Sequence, residues 1–266
     1  MTARVLHVSD LHIGRRDAGR PHAALKELAS RLDPDLLLAT GDLAHRGRRG
    51  ELERAAEILR SLGLPLLAVP GNHDIPYSVP ARLTHPFAEW ERIFGTTEPA
   101  YESDDLVVVG LNSVRPWRQQ GGALRDAALA RVSARLRDAP GSALRLVALH
   151  HHLAAPPWRA ARKRPLKRRD AVLRSFAEAG TELVVGGHIH QATITALREF
   201  QAVEDGRAGS LVLATAPGIG RPRPHREGEA QGANVYESDT NALTVITFVW
   251  DGRSFDEVGR RSFSRG

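Results

Sequence analysis

The sequence predicts an α/β fold, and three observations carry that expectation. Short apolar runs, Val5 to Val8, Leu36 to Ala39, Leu66 to Val69, Leu144 to Leu149 and Leu183 to Val185, have the length and composition of buried parallel strands. Stretches with a helical spacing of apolar residues lie between them. Each run also ends in a polar phrase, and open α/β sheets place their ligands beyond the carboxyl ends of their strands. With 266 residues, 42% of them hydrophobic, the chain can bury one large core, so a single domain over 1–266 is expected.

Taken in order, Val5 to Val8 opens a sheet and runs into SDLHIG at 9–14, and Pro21 to Leu32 has the apolar spacing of a covering helix. Leu36 to Ala39 leads into TGDLAHRG at 40–47, followed by a second helix over Glu51 to Leu62 with Gly63 as its stop signal. Leu66 to Val69 leads into PGNHD at 70–74. Leu106 to Leu111 is a further strand, Ala123 to Arg137 an amphipathic helix, and Leu144 to Leu149 a strand that ends in LHHH at 149–152. Asp170 to Ala179, closed by Gly180, precedes Leu183 to Val185 and GGHIHQ at 186–191. After Gln191 the pattern turns to strands at Thr193 to Val203, Ser210 to Ala214, Leu243 to Trp250 and Ser254 to Ser262, with hairpin signals at Asp205-Gly206 and Asp251-Gly252. These later strands are expected to form a second sheet packed on the first. The Pro-, Gly- and charge-rich stretch 217–234 is expected to be one long loop.

Seven residues in the polar phrases, Asp10, His12, Asp42, Asn72, His150, His188 and His190, are oxygen and imidazole donors suited to two adjacent cations. Residues i and i+2 of a strand point the same way, so Asp10 and His12 are expected to reach one ion. The same parity applies to His188 and His190, although a turn there would split them between neighbouring ions. A carboxylate shared by two cations holds them about 4 Å apart, as in two-metal hydrolases, and Asp42, in the central phrase, is the best bridging candidate. Singly, each residue has a simpler use, since Asp at a strand end caps helices and Gly-Asp or Gly-Asn makes turns. Capping does not call for histidines at five strand exits, and the conjunction favours ligation. His7, His22, His45, His85 and His225 fit no donor position and are expected to be core or surface histidines.

In these phrases the chain resembles the calcineurin-like metallophosphoesterases. That family's pattern is DxH, GD, GNH followed by an acid, a His after an apolar strand, and GHxH, and all five blocks occur in order from Asp10 to His190. The resemblance implies a four-layer α/β/β/α sandwich with a dinuclear metal site at the carboxyl ends of the strands. It assigns one metal to Asp10, His12, Asp42 and His190, and the second to Asp42, Asn72, His150 and His188. It implies a hydroxide bridging the metals as nucleophile, and gives His73 a contact with the phosphate and the leaving group, with Asp74 orienting that ring. His151 is the fallback ligand or a substrate contact. A nitrogen and oxygen donor set suits manganese or iron first and zinc next.

Within that family the chain is most similar to the bacterial class III cyclic-nucleotide phosphodiesterases, which implies hydrolysis of a small phosphodiester. It departs from them at HHHLAAPPW. Two alternatives are a pyrophosphatase of the UDP-diacylglucosamine type at a membrane surface and a DNA-end nuclease, the latter suggested by HVSDLHIGR and a basic pI. Nucleic acid is the less favoured partner, because such nucleases carry a capping domain and coiled-coil segments after the core. A non-catalytic scaffold ranks last, since every ligand position is filled.

Lys and Arg number 37 against 31 Asp and Glu, for a net charge of +6. The excess is local: 158–169, WRAARKRPLKRR, carries seven cations and no acid within a rim segment at 156–169. A basic run beside the site is expected either to close over an anionic substrate, with Arg159 and Arg162 in contact, or to lie on acidic lipid headgroups. A second basic group, Arg221, Arg223, His225 and Arg226, lies in the late stretch. The absence of cysteine excludes disulfides, thiolate ligands and a cysteine nucleophile together. No apolar run reaches the roughly 18 residues of a membrane span, and Met1-Thr-Ala-Arg leads directly into a strand, so a cytoplasmic protein is expected.

Overall fold

The strands of this protein divide their apolar residues between two faces, and that division builds the layers. In the computed structural model, which describes residues 3–14, 19–118, 120–154, 163–199, 211–222 and 228–265, the first sheet has the order β12-β11-β10-β1-β2-β3. Its strands are β1 (Ala3–Val8), β2 (Leu36–Ala39), β3 (Leu66–Ala68), β10 (Gly232–Ser238), β11 (Ala242–Trp250) and β12 (Phe255–Ser264). The second sheet, β4-β5-β6-β7-β9-β8, is made of β4 (Ala100–Glu102), β5 (Leu106–Gly110), β6 (Leu144–Ala148), β7 (Leu183–Gly186), β8 (Thr193–Ala196) and β9 (Val212–Thr215). In β1 and β2, Leu6, Val8, Leu37 and Ala39 face outward into one apolar cluster, while Val5, Leu36 and Leu38 face inward into another. In the second sheet Leu106, Val108, Leu144 and Leu146 meet them from the other side, and Val107, Val109 and Val147 face outward. The period of two thus places alternate residues of one continuous apolar run in two different cores.

Helices close both outer faces. Leu25 and Leu28 of α1 (Gly19–Leu32) and Leu52, Ala55 and Leu59 of α2 (Arg49–Arg60) cover the first sheet. Val132 and Leu136 of α5 (Asp126–Arg137) and Leu173 and Phe176 of α6 (Arg169–Glu178) cover the second. Two short helices, α3 (Ala81–Thr84) and α4 (Ala88–Phe94), lie between the sheets in sequence, and Trp90 of α4 is buried against α2's cluster. The architecture is the four-layer α/β/β/α sandwich expected from the resemblance.

Three expectations about the later strands are corrected. Not all of these strands belong to the second sheet: β8 and β9 do, but β10, β11 and β12 extend the first through an antiparallel pairing of β10 with β1, and the second sheet already starts at β4. Strand β1 has two edges and β2 fills only one, so the later strands take the other. The stretch 217–234 is not one loop either, because β10 begins at Gly232, where Ala233 and Val235 enter the outer cluster. The expected strand over Thr193 to Val203 stops at Ala196 and turns into a 3-10 helix at Leu197–Glu199; the hairpin signal at Asp205-Gly206 lies outside the described residues. Asp251-Gly252 does turn β11 into β12, with the Asp251 carboxylate accepting the N–H groups of Arg253 and Ser254 at 2.6 and 2.8 Å.

The sheets are also tied at the end away from the polar phrases. Arg265, just past β12, donates to both Glu182 oxygens at 2.7 and 3.0 Å, and to the carbonyls of Asp239, Ser142 and Ala143. Removing that guanidinium leaves a poorly exposed carboxylate and several carbonyls without their donor. Arg265→Ala is expected to cost about 1–3 kcal/mol of stability, read as a lower urea midpoint with an unchanged m-value; an unchanged midpoint would mean the tie contributes nothing.

Candidate metal and catalytic centre

Five strand exits converge at one end of the sandwich. Asp10 and His12 follow β1, Asp42 follows β2, Asn72 follows β3, His150 follows β6, and His188 and His190 follow β7. The chain turns there through left-handed backbone: φ is 55° at Asp10, 49° at His12, 50° at Asp42, 72° at His188 and 57° at His190. Asp and His tolerate this region better than most side chains, but it costs energy and is typical of functional sites. The parity argument for Asp10 and His12 is therefore corrected. Strand β1 ends at Val8, and left-handed backbone at Asp10 and again at His12, rather than a shared strand face, aims both side chains at one point. Two glycines permit the close approach of the loops after β2 and β3. A Cβ at Gly71 would sit 2.3 Å from an Asp42 carboxylate oxygen, and one at Gly41 would sit 2.3 Å from the Gly71 nitrogen.

The donors fall into two groups, each drawing on both sheets. Asp10 and His12 from the first sheet meet His190 from the second, with Nε2 of His12 and His190 3.2 Å apart and His190 Nε2 3.1 Å from Asp10 Oδ1. Asp42 from the first sheet meets His150 and His188 from the second. His150 Nε2 lies 3.4 Å from Asp42 Oδ1, 3.2 Å from Asn72 Oδ1 and 3.1 Å from His188 Nδ1. Asp42 faces both groups, because its Oδ2 lies 3.9 Å from His12 Nε2 in the first. The turn after β7 splits its two histidines between the groups. The set fits a pair of cations: bare ring nitrogens and carboxylate oxygens crowd together in a buried site, and Asp10 Oδ1 has no hydrogen-bond donor among the described residues.

The protonation states of His12 and His188 suit the same use. Burial pushes His12 down to about 3 and His188 well below the ordinary imidazole value, so both are neutral and ready to ligate. Burial also pushes His150 down, but the Asp42 carboxylate more than reverses this and raises it to about 9. Burial opposes ionisation of Asp42 and Asp10, yet the facing imidazoles, His150 for Asp42 and His190 for Asp10, hold both below the usual carboxylate range.

The surrounding hydrogen bonds orient the donors. His150 Nδ1–H donates to the Thr40 carbonyl at 2.7 Å, which turns Nε2 towards Asp42. Ser9 Oγ and the His188 N–H both donate to Asp10 Oδ2, at 2.7 and 2.9 Å, leaving Oδ1 to face His190. His7, expected to be a core histidine, is buried between Tyr236 Oη and Thr40 Oγ1, each 2.7 Å from one ring nitrogen.

His73 stands at the rim of this centre, half-buried, with its ring edge-on to His12 at a centroid distance of 4.9 Å. Its main-chain N–H donates to Asp42 Oδ1 at 2.8 Å. The expectation that Asp74 orients the ring is corrected. The Asp74 carboxylate instead accepts the N–H groups of Ala44 and Gly71, both at 2.7 Å, and so ties the loops after β2 and β3 together. Burial, and next the Asp42 charge, push it up to about 8, so it is no charged partner for an imidazole. The carbonyl of His45 does the orienting, 2.8 Å from His73 Nδ1. A carbonyl only accepts, so Nδ1 carries the proton, and Tyr77 Oη, 2.6 Å from the same nitrogen, shares it.

The remaining expected contacts are less central. His151 is buried, its Nδ1 2.8 Å from Ser113 Oγ and its ring pressed against Gly122; it is part of neither donor group, and this burial does not suit the expected contact with substrate. Arg159 and Arg162 lie outside the described residues, as do Arg223, His225 and Arg226. Two neighbours went unrecognised in the sequence. His45 stacks on His73 at 5.8 Å and joins His12 and His73 in a third group of imidazoles; its place four residues before an acidic helix start looked like an ordinary loop. Lys163, one of the cationic run, is buried with its ammonium on the His188 carbonyl. Only the absence of nearby acids in 158–169 hinted at an inward-facing cation.

Comparison with known proteins agrees with this geometry. The sequence profile of the calcineurin-like phosphoesterases matches residues 3–192. A protein from Synechococcus sp. described as a probable cyclic nucleotide phosphodiesterase is 31% identical over 208 residues, covering 73% of this chain and 76% of that protein. The UDP-2,3-diacylglucosamine pyrophosphatase LpxG of Chlamydia trachomatis is 40% identical over 76 residues, 27% of this chain and 22% of that one. In fold, the purple acid phosphatase PPD1 of yellow lupin superposes with a TM-score of 0.71 at 11% identity, covering all of this chain and 54% of its own.

The place found for Asp74 makes a direct test. Asp74→Ala removes the acceptor for two loop amides beneath Asp42, so metal affinity is expected to fall by about 10–100-fold, measured by stoichiometric metal uptake. Unaltered uptake with a loss of rate alone would return Asp74 to the role of orienting His73.

Proposed function

The chain belongs to the calcineurin-like phosphoesterase family, and from that premise we propose that this hydrolytic metallophosphoesterase acts on a small phosphodiester, with a cyclic nucleotide the first candidate. The observation that carries the reading is Asp42, one carboxylate turned towards two groups of donors, with Oδ1 at 3.4 Å from His150 and Oδ2 at 3.9 Å from His12. Asp10, His12 and His190 would hold one ion and Asn72, His150 and His188 the other, with Asp42 common to both. Manganese or iron is the first choice and zinc the second for such a set. When bound, a pair of cations supplies a lower pKa for attacking water and neutralises charge on the phosphoryl oxygens.

The chain's own groups then have separate tasks. With Nδ1–H held by the His45 carbonyl, the other ring nitrogen of His73, Nε2, whose contact with Tyr77 Oη is a long 3.5 Å, is the position that would hand a proton to the departing oxygen. Phosphoryl transfer rests on positioning and charge stabilisation more than on covalent chemistry, and the loop ties through Asp74, Ser9 and Thr40 serve the positioning. Support for the cyclic-nucleotide class comes from the similarity to the Synechococcus sp. protein, which extends over 73% of the chain. A second reading, hydrolysis of a lipid-linked nucleoside diphosphate, is favoured by the higher identity to LpxG, although that stretch covers only 27% of the chain. We place the protein in the cytoplasm on either reading.

Asp42→Ala is expected to abolish uptake of both ions and all turnover of bis(p-nitrophenyl) phosphate with manganese; a variant that still binds two ions would refute the shared carboxylate. His73→Ala should keep its metal and lose about 10²–10⁴-fold in rate, checked by metal analysis beside steady-state kinetics. A panel of cyclic nucleotides, nucleotide-linked lipids and phosphomonoesters, each with manganese, iron and zinc, separates the two substrate readings.

A further inference from the structure

Five large hydrophobic side chains are exposed among the described residues, and four of them, Tyr77, Val79, Leu83 and Trp117, lie on one rim of the site. Arg82 gathers that rim. Its guanidinium donates to the carbonyls of Pro76 at 2.9 Å, Pro116 at 2.7 Å and Arg118 at 3.4 Å, and lies 5.9 Å from the Tyr77 ring. The loop after His73 and the loop after β5 are thereby fixed side by side, with Leu83 next to the bridging arginine and Trp117 between two of its acceptors. The patch borders the centre itself, since Tyr77 Oη touches His73 Nδ1.

Exposed charge around the patch is mainly cationic. Neither 76–88 nor 113–125 contains Asp or Glu, while Arg118, Arg125 and, alongside Tyr77, Arg46 are exposed. Lys167, also exposed, adds to the ring because its N–H donates to the Gly122 carbonyl at 2.9 Å. Of the carboxylates around the patch, Asp42 is buried, Glu51 accepts the N–H groups of Arg46 and Arg48, Glu98 pairs with the Arg131 guanidinium, and Asp126, next to Arg125, pairs with Arg168. Val79 and Trp117 are each 68% exposed and Leu83 58%, so these side chains stand out from the surface rather than line a cleft. An isolated apolar residue on a surface is ordinary, but a cluster rimmed by cations marks an interaction site.

We propose that this rim docks on an acidic lipid bilayer. Trp117, Val79 and Leu83 enter the boundary between headgroups and acyl chains, and Arg46, Arg118, Arg125 and Lys167 lie against the lipid phosphates. Aromatic and aliphatic side chains ringed by cations match both parts of such a surface, and a fluid bilayer asks for no shape complementarity from projecting side chains. Docked in this way, the mouth beside His73 faces the membrane. The inference goes beyond the hydrolytic reading and does not depend on it.

Sedimentation with vesicles tests the docking without substrate, so its failure is separate from any failure of the reaction. The full chain should co-sediment with phosphatidylcholine vesicles containing about one third phosphatidylglycerol, not with phosphatidylcholine alone, and the binding should weaken at high salt. The combined variant Val79→Ser, Leu83→Ser and Trp117→Ser should lose about tenfold in vesicle affinity while keeping its thermal melt and its turnover of a soluble diester. The tryptophan emission of the wild type should shift to the blue on vesicles, and Trp117→Phe should remove that shift. Equal binding to neutral vesicles, unaltered binding by the triple variant, or no vesicle binding at all would overturn the proposal. A raised KM for the soluble diester in the triple variant would overturn it too, by making the patch a substrate subsite.

Discussion

One carboxylate sets the geometry on which the rest of the centre depends. Asp42 has to turn one oxygen towards His150 and the other towards His12, which belong to opposite sheets, while its Oδ1 also accepts the His73 N–H. A residue so placed admits no slack in the loops around it. Gly41 and Gly71 are therefore glycines because their chains nearly touch, and Asp74 spans the same gap from below through the amides of Ala44 and Gly71. The buried, acid-stabilised loop pair costs little in unsatisfied polarity, since each of these amides finds an oxygen.

Left-handed backbone is the second constraint, and it follows from the first. Parallel strands end at a common edge but send their side chains straight up or down, so none of them aims at a point between two sheets. Five of the seven donors bend inward by adopting positive φ. Such residues persist only where their surroundings over-determine them, and here the surroundings are main-chain bonds between exits, such as the Asp10 N–H on the Gly41 carbonyl and the His12 N–H on the Asp42 carbonyl, both 2.9 Å. The sandwich core supplies rigidity below, and the exits hold one another above.

The donor groups and the exposed rim occupy different parts of this frame. The donors sit at the ends of buried strands, where packing allows little movement. His73 belongs to the same loops but stands half-exposed at their edge, oriented by a main-chain carbonyl that no side-chain substitution at His45 removes. Beyond it the rim is loop, cationic and in part apolar, pinned by Arg82 across two segments.

By itself the sequence determined most of the buried strands and picked out the seven residues that meet at their exits, because each of these is a local signal: an apolar run, a polar phrase at its end, a spacing. Continuous apolar runs said that both faces of the strands are covered, and they are, by two different cores. What only the tertiary structure decided is pairing across distance. The second edge of β1 was open to any later strand, and β10 took it; no local pattern encodes which edge a returning strand will choose. Asp74 follows His73 in the chain, yet a neighbour in sequence points elsewhere once the loop turns, and the His45 carbonyl, a main-chain group with no residue-type signature, holds the ring instead. The exposed rim of Tyr77, Val79, Leu83 and Trp117 was equally hidden, since exposure belongs to the folded surface.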